Sequence, residues 1–153
     1  MSLLRLKVQG TAELEAKIKA LHDALDTTRI LDEGSAILFN RMRTRFLAET
    51  DPDGVRWIPS QAAIRRASSG YGGGTLFDSG RLFRSLQIFS MGPNSRAIGT
   101  NLIAKGKGGF PYPAVHNFGL LGFPERQFLG FGQQDVALMS SYIIRLISQA
   151  VGL

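Results

Sequence analysis

The chain begins with alternating apolar and polar positions and continues with two stretches of helical periodicity. The alternation covers residues 4–8 and predicts a half-buried strand that ends at Gly10. The first helical stretch carries an apolar stripe: Leu14, Ile18, Leu21 and Leu25. A second stripe follows the interruption at residues 27–28: Leu31, Ile37, Leu38, Met42 and Phe46. The N-terminal third therefore predicts one strand and two long amphipathic helices.

Shorter elements follow in the middle of the chain. Residues 51–54, Asp-Pro-Asp-Gly, predict a tight turn because Pro fixes φ, Asp bonds its own backbone and Gly accepts a positive φ. We predict a short helix over about residues 60–67 and a capped short helix or turn over 78–86. Two alternating stretches on either side of residues 92–94, Gly-Pro-Asn, predict a β-hairpin.

The C-terminal part is predicted to contain a helical turn at residues 112–119, an extended segment at 123–131 and a final helix from Asp135. That helix presents an apolar face: Val136, Met139, Ile143, Leu146, Ile147 and Ala150. The expected fold class is α+β, with a small antiparallel sheet packed with two long N-terminal helices and a C-terminal helix, with extended loops. A chain of 153 residues is expected to form one domain, residues 1–153.

The formal charge of +6 is compatible with nucleic acid, an acidic partner or a mildly basic soluble protein. No run of five or more like charges favours nucleic acid in particular. Arg41, Arg43 and Arg45 fall in the last turns of the second predicted helix, where the helix dipole favours cations. Arg5 and Lys7 interrupt the apolar N-terminus, so we expect no signal peptide, and we expect the protein to be made and used in a cytoplasm.

Candidate residues for catalysis or metal binding are few. The chain contains no cysteine, which excludes disulfides, thiol chemistry and Cys-based metal sites. Its two histidines, His22 and His116, are far apart and lack ligand spacing. The glycine-rich segments lack the Gly-Lys-Ser/Thr ending of a phosphate loop. We therefore predict no catalytic residue, no metal site and no cofactor, and a small hydrolase is the weakest hypothesis.

Two glycine-rich segments, residues 65–74 and 105–111, are predicted to be flexible basic loops. Their candidate contact residues are Arg65, Arg66, Tyr71, Lys105 and Lys107. Such loops suit phosphate contacts, although no aromatic stripe or recognition helix indicates base readout. They equally suit loops that become ordered only against a protein partner. Both interpretations remain open from the residues alone.

Four short segments, one of them a pair, occur in a fixed order: DPDGVRWIP (51–59), LFDSGRLFRSL (76–86), the pair IGTN (98–101) and YPAVHNFG (112–119), and FPERQFLGF (123–131). In order and spacing they resemble the phage virion morphogenesis family, over roughly residues 30–150. The chain departs from the usual family pattern at a few positions: Pro113, Asn117, Glu125 and Gln127.

The resemblance implies a structural virion protein without enzyme activity, in the neck or upper tail at the head–tail junction, assembled in the host cytoplasm. The implied partners are further copies of itself in a ring (a hexamer, or alternatively a dodecamer), other neck, connector and tail proteins, and genomic DNA in the channel, with no membrane. The motif positions expected to be structural or interfacial are Asp51, Gly54, Trp57, Asp78, Gly80, Leu82, Tyr112, His116, Phe118, Gly119, Arg126, Phe128 and Leu129. The alternative function is a basic nucleic-acid-binding accessory protein.

Physical chemistry gives several motif residues definite expected roles. Trp57 is expected to bury its ring beneath the turn with its N–H on a backbone acceptor. Arg126 carries a planar guanidinium that suits a fixed carboxylate or carbonyl. His116 is expected to hydrogen-bond a backbone group and so pin residues 112–119. Three apolar side chains of the last motif are assigned to the core: Phe128, Leu129 and Phe131.

Overall fold

The computed structural model describes residues 11–103 and 111–152. Within these ranges the elements follow in this order: α1 (Thr11–Ala24), α2 (Thr27–Ala48), α3 (Gln61–Ser68), α4 (Arg81–Ser85), β1 (Gln87–Gly92), β2 (Ser95–Gly99), α5 (Tyr112–Phe118), a 3-10 turn (Leu120–Gly122) and α6 (Gln133–Val151). Helices combined with one antiparallel hairpin confirm the α+β class. The strand predicted at residues 4–8, and Lys105 and Lys107, lie outside the described residues.

The longest element, α2, is the centre of the fold. Its 22 residues begin after Asp26, whose carboxylate accepts a hydrogen bond from the Thr28 N–H at 2.9 Å and caps the helix. It ends at Glu49, which takes a left-handed conformation with φ 56°. Along this length α2 contacts both hairpin strands and α6. The sequence prediction of a long second helix is therefore confirmed.

The helix α1 packs against α6, but its predicted apolar stripe is poorly covered by the described residues. Leu14 is 59% exposed, Ile18 58% and Leu25 41%. Periodicity correctly predicted the helix, because helical spacing places these side chains on one face. It did not predict burial, which depends on what packs against that face.

The hairpin was predicted correctly. Strand β1 pairs antiparallel with β2, with Gln87 opposite Gly99 and an irregularity near the turn between Ser90 and Gly92. Arg96 on β2 donates from Nε to the carboxylate of Asp32 on α2 at 2.7 Å. This contact fixes the two-stranded sheet, which would be marginal alone, against the central helix.

The core is organised around Phe46 of α2, which is 1% exposed. Its four buried partners come from three other parts of the chain: Trp57, Leu82, Leu86 and Phe128. The Phe46 ring meets Trp57 edge-on at a centroid distance of 5.5 Å and Phe128 at 5.6 Å. Such aromatic pairs add about 0.5–1.5 kcal/mol each beyond the burial of their area. One residue thus joins the turn, α4 and the extended segment into a single core.

A buried carboxylate joins α2 to α6. Asp135 is 1% exposed and accepts hydrogen bonds from Arg45 and, at 2.6 Å, from Arg41. It also accepts one from the N–H of Gly132 at 3.0 Å, at the start of α6. The third arginine, Arg43, instead lies over the Phe83 ring at 4.7 Å. The helix dipole therefore explains only part of this arginine cluster, because each guanidinium has a specific partner.

Three further predictions need correction. Residues 112–118 form a seven-residue helix and not a single turn, because the chain stays helical until Gly119 ends it with φ 61°. Phe131 was assigned to the core but is 60% exposed, since Gly130, with φ 151°, redirects the chain towards α6. Val136 is 62% exposed, at the first turn of α6.

Candidate interaction site

Four of the five motif segments contribute described residues to one groove of about 710 Å³, and IGTN (98–101) does not. We call it the motif groove. Its described lining comes from four stretches of the chain: 58–66, 76–82, 112–116 and 123–126. Every one of these stretches overlaps a motif segment identified in the sequence. The fold therefore brings parts of four separate motif segments together at one groove.

The turn at residues 51–54 leads into the first side of the motif groove, which begins at Ile58. One carboxylate oxygen of Asp51 accepts hydrogen bonds from the N–H groups of Asp53 at 2.9 Å and Val55 at 2.8 Å. Gly54 has φ 89°, a conformation that favours glycine. The chain then returns towards α2, where the backbone N–H of Trp57 donates to the Glu49 carbonyl at 2.7 Å. This geometry confirms the predicted turn.

The indole N–H of Trp57 does not have the expected acceptor. The ring is buried, at 6% exposure, but Nε1 has no hydrogen-bond partner among the described residues. The prediction of a backbone acceptor for the indole N–H is therefore wrong within the described residues. The edge-on contact with Phe46 sets the ring orientation, and an unpaired buried donor costs roughly 1–3 kcal/mol.

The helix α4 forms the second side. Gly80 precedes it in a left-handed conformation with φ 71°, and no side chain caps the helix there. Leu82 is buried in the core, while Arg81 is exposed at the rim of the groove. Asp78 pairs with Arg66 at 3.4 Å, and the Asp78 side chain is 79% exposed. The short helix was predicted correctly, but the cap was not.

Three hydrogen bonds fasten α5 to the extended segment at residues 123–131. The N–H of Arg126 donates to the His116 carbonyl at 2.7 Å. The side-chain oxygen of Asn117 accepts from the N–H groups of Phe128 at 3.1 Å and Leu129 at 2.8 Å. Asn117 is 2% exposed, and sequence analysis noted it only as a departure from the family pattern. The signal that could have identified it is its spacing, four residues after the buried Pro113 and therefore on the same helix face.

Arg126 lies at the base of the motif groove and is 4% exposed. Its Nε donates to the carbonyl of Ile58 at 2.8 Å, which confirms the predicted carbonyl partner. Among the described residues no carboxylate forms an ion pair with Arg126. Burial lowers the pKa of Arg126 from its ordinary value. This arginine therefore differs from Arg41 and Arg45, which share a buried aspartate.

His116 is half-buried beside Arg126. Its imidazole lies edge-on to Tyr112, with centroids 6.4 Å apart, and to Phe123, at 5.7 Å. Burial lowers the pKa of His116 and the charge of Arg126 lowers it further, so the neutral ring is favoured. The ring makes no hydrogen bond within the described chain, and its Nδ1 is buried without a partner there. The prediction of a hydrogen bond between the imidazole and a backbone group is therefore wrong within the described residues. The backbone carbonyl of His116, and not its ring, connects α5 to Arg126.

The basic residues predicted on one flexible loop are placed differently. Arg65 and Arg66 belong to α3, which starts after the N-cap Ser60 and continues to Ser68. Arg66 donates to the Gly74 carbonyl at 2.9 Å. It also lines the motif groove. Tyr71 lies in the following loop and is 72% exposed. The loop prediction failed for the two arginines because the capped α3 includes them.

A second surface feature lies where α5 ends. Phe118 is 63% exposed, Leu120 46% and Leu121 74%. Leu121 adopts φ 57°, a left-handed conformation that is strained for leucine. We call residues 118–121 the apolar edge. Gly119 within it allows a close approach, because a Cβ there would lie 3.0 Å from the Glu125 nitrogen.

The motif groove and the apolar edge present groups that are suited to recognition. Within residues 11–103 and 111–152, no group of three or more His, Cys, Asp or Glu side chains could hold a metal ion. No helix in those ranges combines the length and apolarity needed to cross a membrane. The motif groove presents guanidinium groups and aromatic edges, and the apolar edge presents large hydrophobic side chains. Both features suit binding to another macromolecule.

The model of the phage virion morphogenesis family matches residues 10–148, a span that includes all the motif segments, the motif groove and the apolar edge. Comparison with curated proteins and comparison with solved structures give no match.

Proposed function

The chain belongs to the phage virion morphogenesis family, and from this premise we propose that it is a structural subunit of the head–tail junction of a tailed phage. The family membership supports a structural or assembly role in the virion. The proposed location is the neck or the upper end of the tail. There the subunit would form a ring with copies of itself, a hexamer or a dodecamer, around the channel through which genomic DNA passes.

The observation that carries this proposal is the apolar edge. Three large hydrophobic side chains are exposed within four consecutive residues. Exposed apolar patches on soluble proteins commonly mark contact surfaces, because burying them removes apolar area from water. The strained and highly exposed Leu121 has no role in the core of the subunit. A neighbouring subunit in the ring would bury it.

Contacts with the extended segment hold the apolar edge in place, which favours assembly. The hydrogen bonds of Asn117 to that segment lie directly before the edge, and Gly119 within it approaches Glu125 closely. A surface that is ordered before binding loses less conformational entropy when its partner arrives. We further propose that residues 1–153 act as one domain, because the core around Phe46 draws on segments from α2 to the extended segment.

The first test is the mass of the purified full-length protein by light scattering, with electron microscopy of any assembly. We expect a closed ring with a central hole. Leu121→Asn should abolish the ring while the subunit stays folded, because asparagine tolerates a left-handed conformation and is polar. Met91→Asn is the matched control, since Met91 is also 67% exposed but lies on the hairpin.

The location is tested in infected cells. Without the gene, we expect separate full heads and finished tails, and complementation by the wild-type gene should join them. Leu121→Asn should fail to complement, and Met91→Asn should succeed. Joined, infectious particles in the absence of the protein would overturn the head–tail assignment. Rings that persist with Leu121→Asn would overturn the role of the apolar edge.

A further inference from the structure

The motif groove buries an arginine whose charge is not neutralised by the described chain. Arg126 is 4% exposed, and only its Nε has a hydrogen-bond partner among the described residues, the Ile58 carbonyl. Its terminal nitrogens are not among the fully buried unpaired atoms, and the residue lines the groove. The two terminal nitrogens of the Arg126 guanidinium can therefore be reached from the groove. They can donate two parallel hydrogen bonds to a carboxylate.

The other charges of the groove reinforce this positive site. Arg66, Arg81 and Arg126 line it, and Asp78 is the one acid among the described lining residues. Asp78 is already engaged by Arg66. Arg81 is exposed at the rim and forms no ion pair within the described chain. An anion entering the groove would meet Arg81 first and Arg126 at the base.

The walls of the groove select the kind of anion. Ile58, Pro59, Tyr112, Phe123 and Pro124 line it beside the arginines. A bare phosphate would leave these apolar and aromatic surfaces unused. A carboxylate carried next to an apolar side chain would use both, because burial of the apolar group adds to the charged hydrogen bonds. The net charge of +6 also favours an acidic partner over a second copy of this chain.

We propose that the motif groove is the docking site for an acidic segment of a different protein, with a Glu or Asp carboxylate on Arg126 and an adjacent apolar side chain against Tyr112 and Phe123. In the virion this partner would be a neighbouring structural protein. The site is separate from the apolar edge, so it does not depend on ring formation. It gives the subunit one surface for its own copies and another for a neighbour.

The test uses 3-phenylpropionate as the probe and its uncharged amide, 3-phenylpropanamide, as the matched control. Binding to the full-length protein is followed by NMR through the two histidine rings. The His116 signal should shift on titration with the acid, while the signal of His22, on α1 and 88% exposed, serves as an internal reference. Loss of charged hydrogen bonds predicts roughly 10- to 100-fold weaker binding of the amide.

The titration of His116 supplies a second readout. The charge of Arg126 contributes to the lowered pKa of His116. A carboxylate on Arg126 should offset that charge, so saturation with the acid should raise the pH midpoint of the His116 signal. The amide should leave this midpoint unchanged. Equal binding of acid and amide, or an unchanged midpoint at saturation with the acid, would overturn the proposal.

Variants and competing ligands distinguish an acidic protein segment from the other possible occupants of the groove. Arg126→Lys keeps a cation without the fork and should weaken the acid about tenfold, and Arg81→Gln, at an exposed position, should weaken it less. Tighter binding of inorganic phosphate than of the acid would overturn the proposal in favour of a nucleic-acid backbone. Dissociation of the ring by saturating acid would overturn it in favour of a second copy. A monomeric wild-type protein that still binds the acid would contradict the ring but support the groove.

Discussion

The carboxylate of Asp135 is bound by the guanidinium of Arg45, 90 residues earlier in the chain. The pair joins the start of α6 to the end of α2, and Arg41 adds a further hydrogen bond at 2.6 Å. Asp135 is almost fully buried, whereas Arg45 keeps some exposure, with 12% of its side chain accessible. Removing the carboxylate would leave two guanidinium groups at the helix interface without their common partner.

Asp135→Asn should lower the free energy of unfolding by roughly 3–5 kcal/mol, because removing one partner of a buried ion pair leaves the other uncompensated. Urea denaturation followed by circular dichroism measures this loss. The control is Asp78→Asn, since the Asp78–Arg66 pair is more exposed and should contribute less than about 1 kcal/mol. Equal, small losses for both variants would contradict a structural role for Asp135.

The same carboxylate predicts an acid-sensitive contribution to stability. Burial raises the pKa of Asp135, but the hydrogen bonds from Arg45, Arg41 and Gly132 outweigh it and lower the pKa below 3.8. The contribution is thus fully present above that ordinary value and is lost as pH falls through the lower folded value. Between pH 5 and pH 2 the wild-type protein should lose more stability than Asp135→Asn. Parallel pH profiles would exclude this linkage.

His116 predicts a change at milder pH. Its pKa in the folded protein lies below the ordinary value of 6.5, through burial and the nearby charge of Arg126. The unfolded chain therefore binds a proton first, and stability falls as pH decreases below about 6.5. The urea midpoint of the wild-type protein should fall between pH 7.5 and pH 5, and that of His116→Gln should fall less. A wild-type urea midpoint that rises as the pH falls over this range would contradict the expected direction of the pH dependence.

Asn117→Ala should release the extended segment from α5. Two buried or half-buried N–H groups, of Phe128 and Leu129, would lose their acceptor at a cost of roughly 1–3 kcal/mol each. Urea denaturation gives the total, and amide hydrogen exchange should show reduced protection at these two positions. Asn101→Ala, at an exposed asparagine, is the control and should change stability by less than about 0.5 kcal/mol. Unchanged exchange at both amides would rule out Asn117 as the residue that holds the extended segment against α5.

Leu121→Asn should separate assembly from stability. Leucine in a left-handed conformation costs roughly 1–2 kcal/mol, a strain that asparagine relieves in part. The subunit should therefore unfold at an equal or higher urea concentration than the wild type, measured at low concentration to avoid association. A clear loss of subunit stability would mean that Leu121 contributes to the core and not to a contact surface.

Local chemistry made several features predictable from the sequence. The Asp-Pro-Asp-Gly turn, α2, α3, the hairpin and α6 follow from turn-forming residues, caps and periodicity, each of which acts over a few residues. The ordered motifs indicated the family, which the family comparison then showed. They also included several residues of the later groove, among them Asp78, Tyr112, His116 and Arg126.

Only the tertiary structure decided which partners those residues meet. Arg45 and Asp135 are 90 residues apart, and no local pattern pairs them. Phe131 and Phe128 are both aromatic and close in sequence, yet only Phe128 packs on Phe46. Burial, ion pairing and the available fork of Arg126 depend on how distant segments pack, and helical or strand periodicity carries no information about that packing. The sequence determined the elements and the family, and long-range packing determined the groove and the exposed edge.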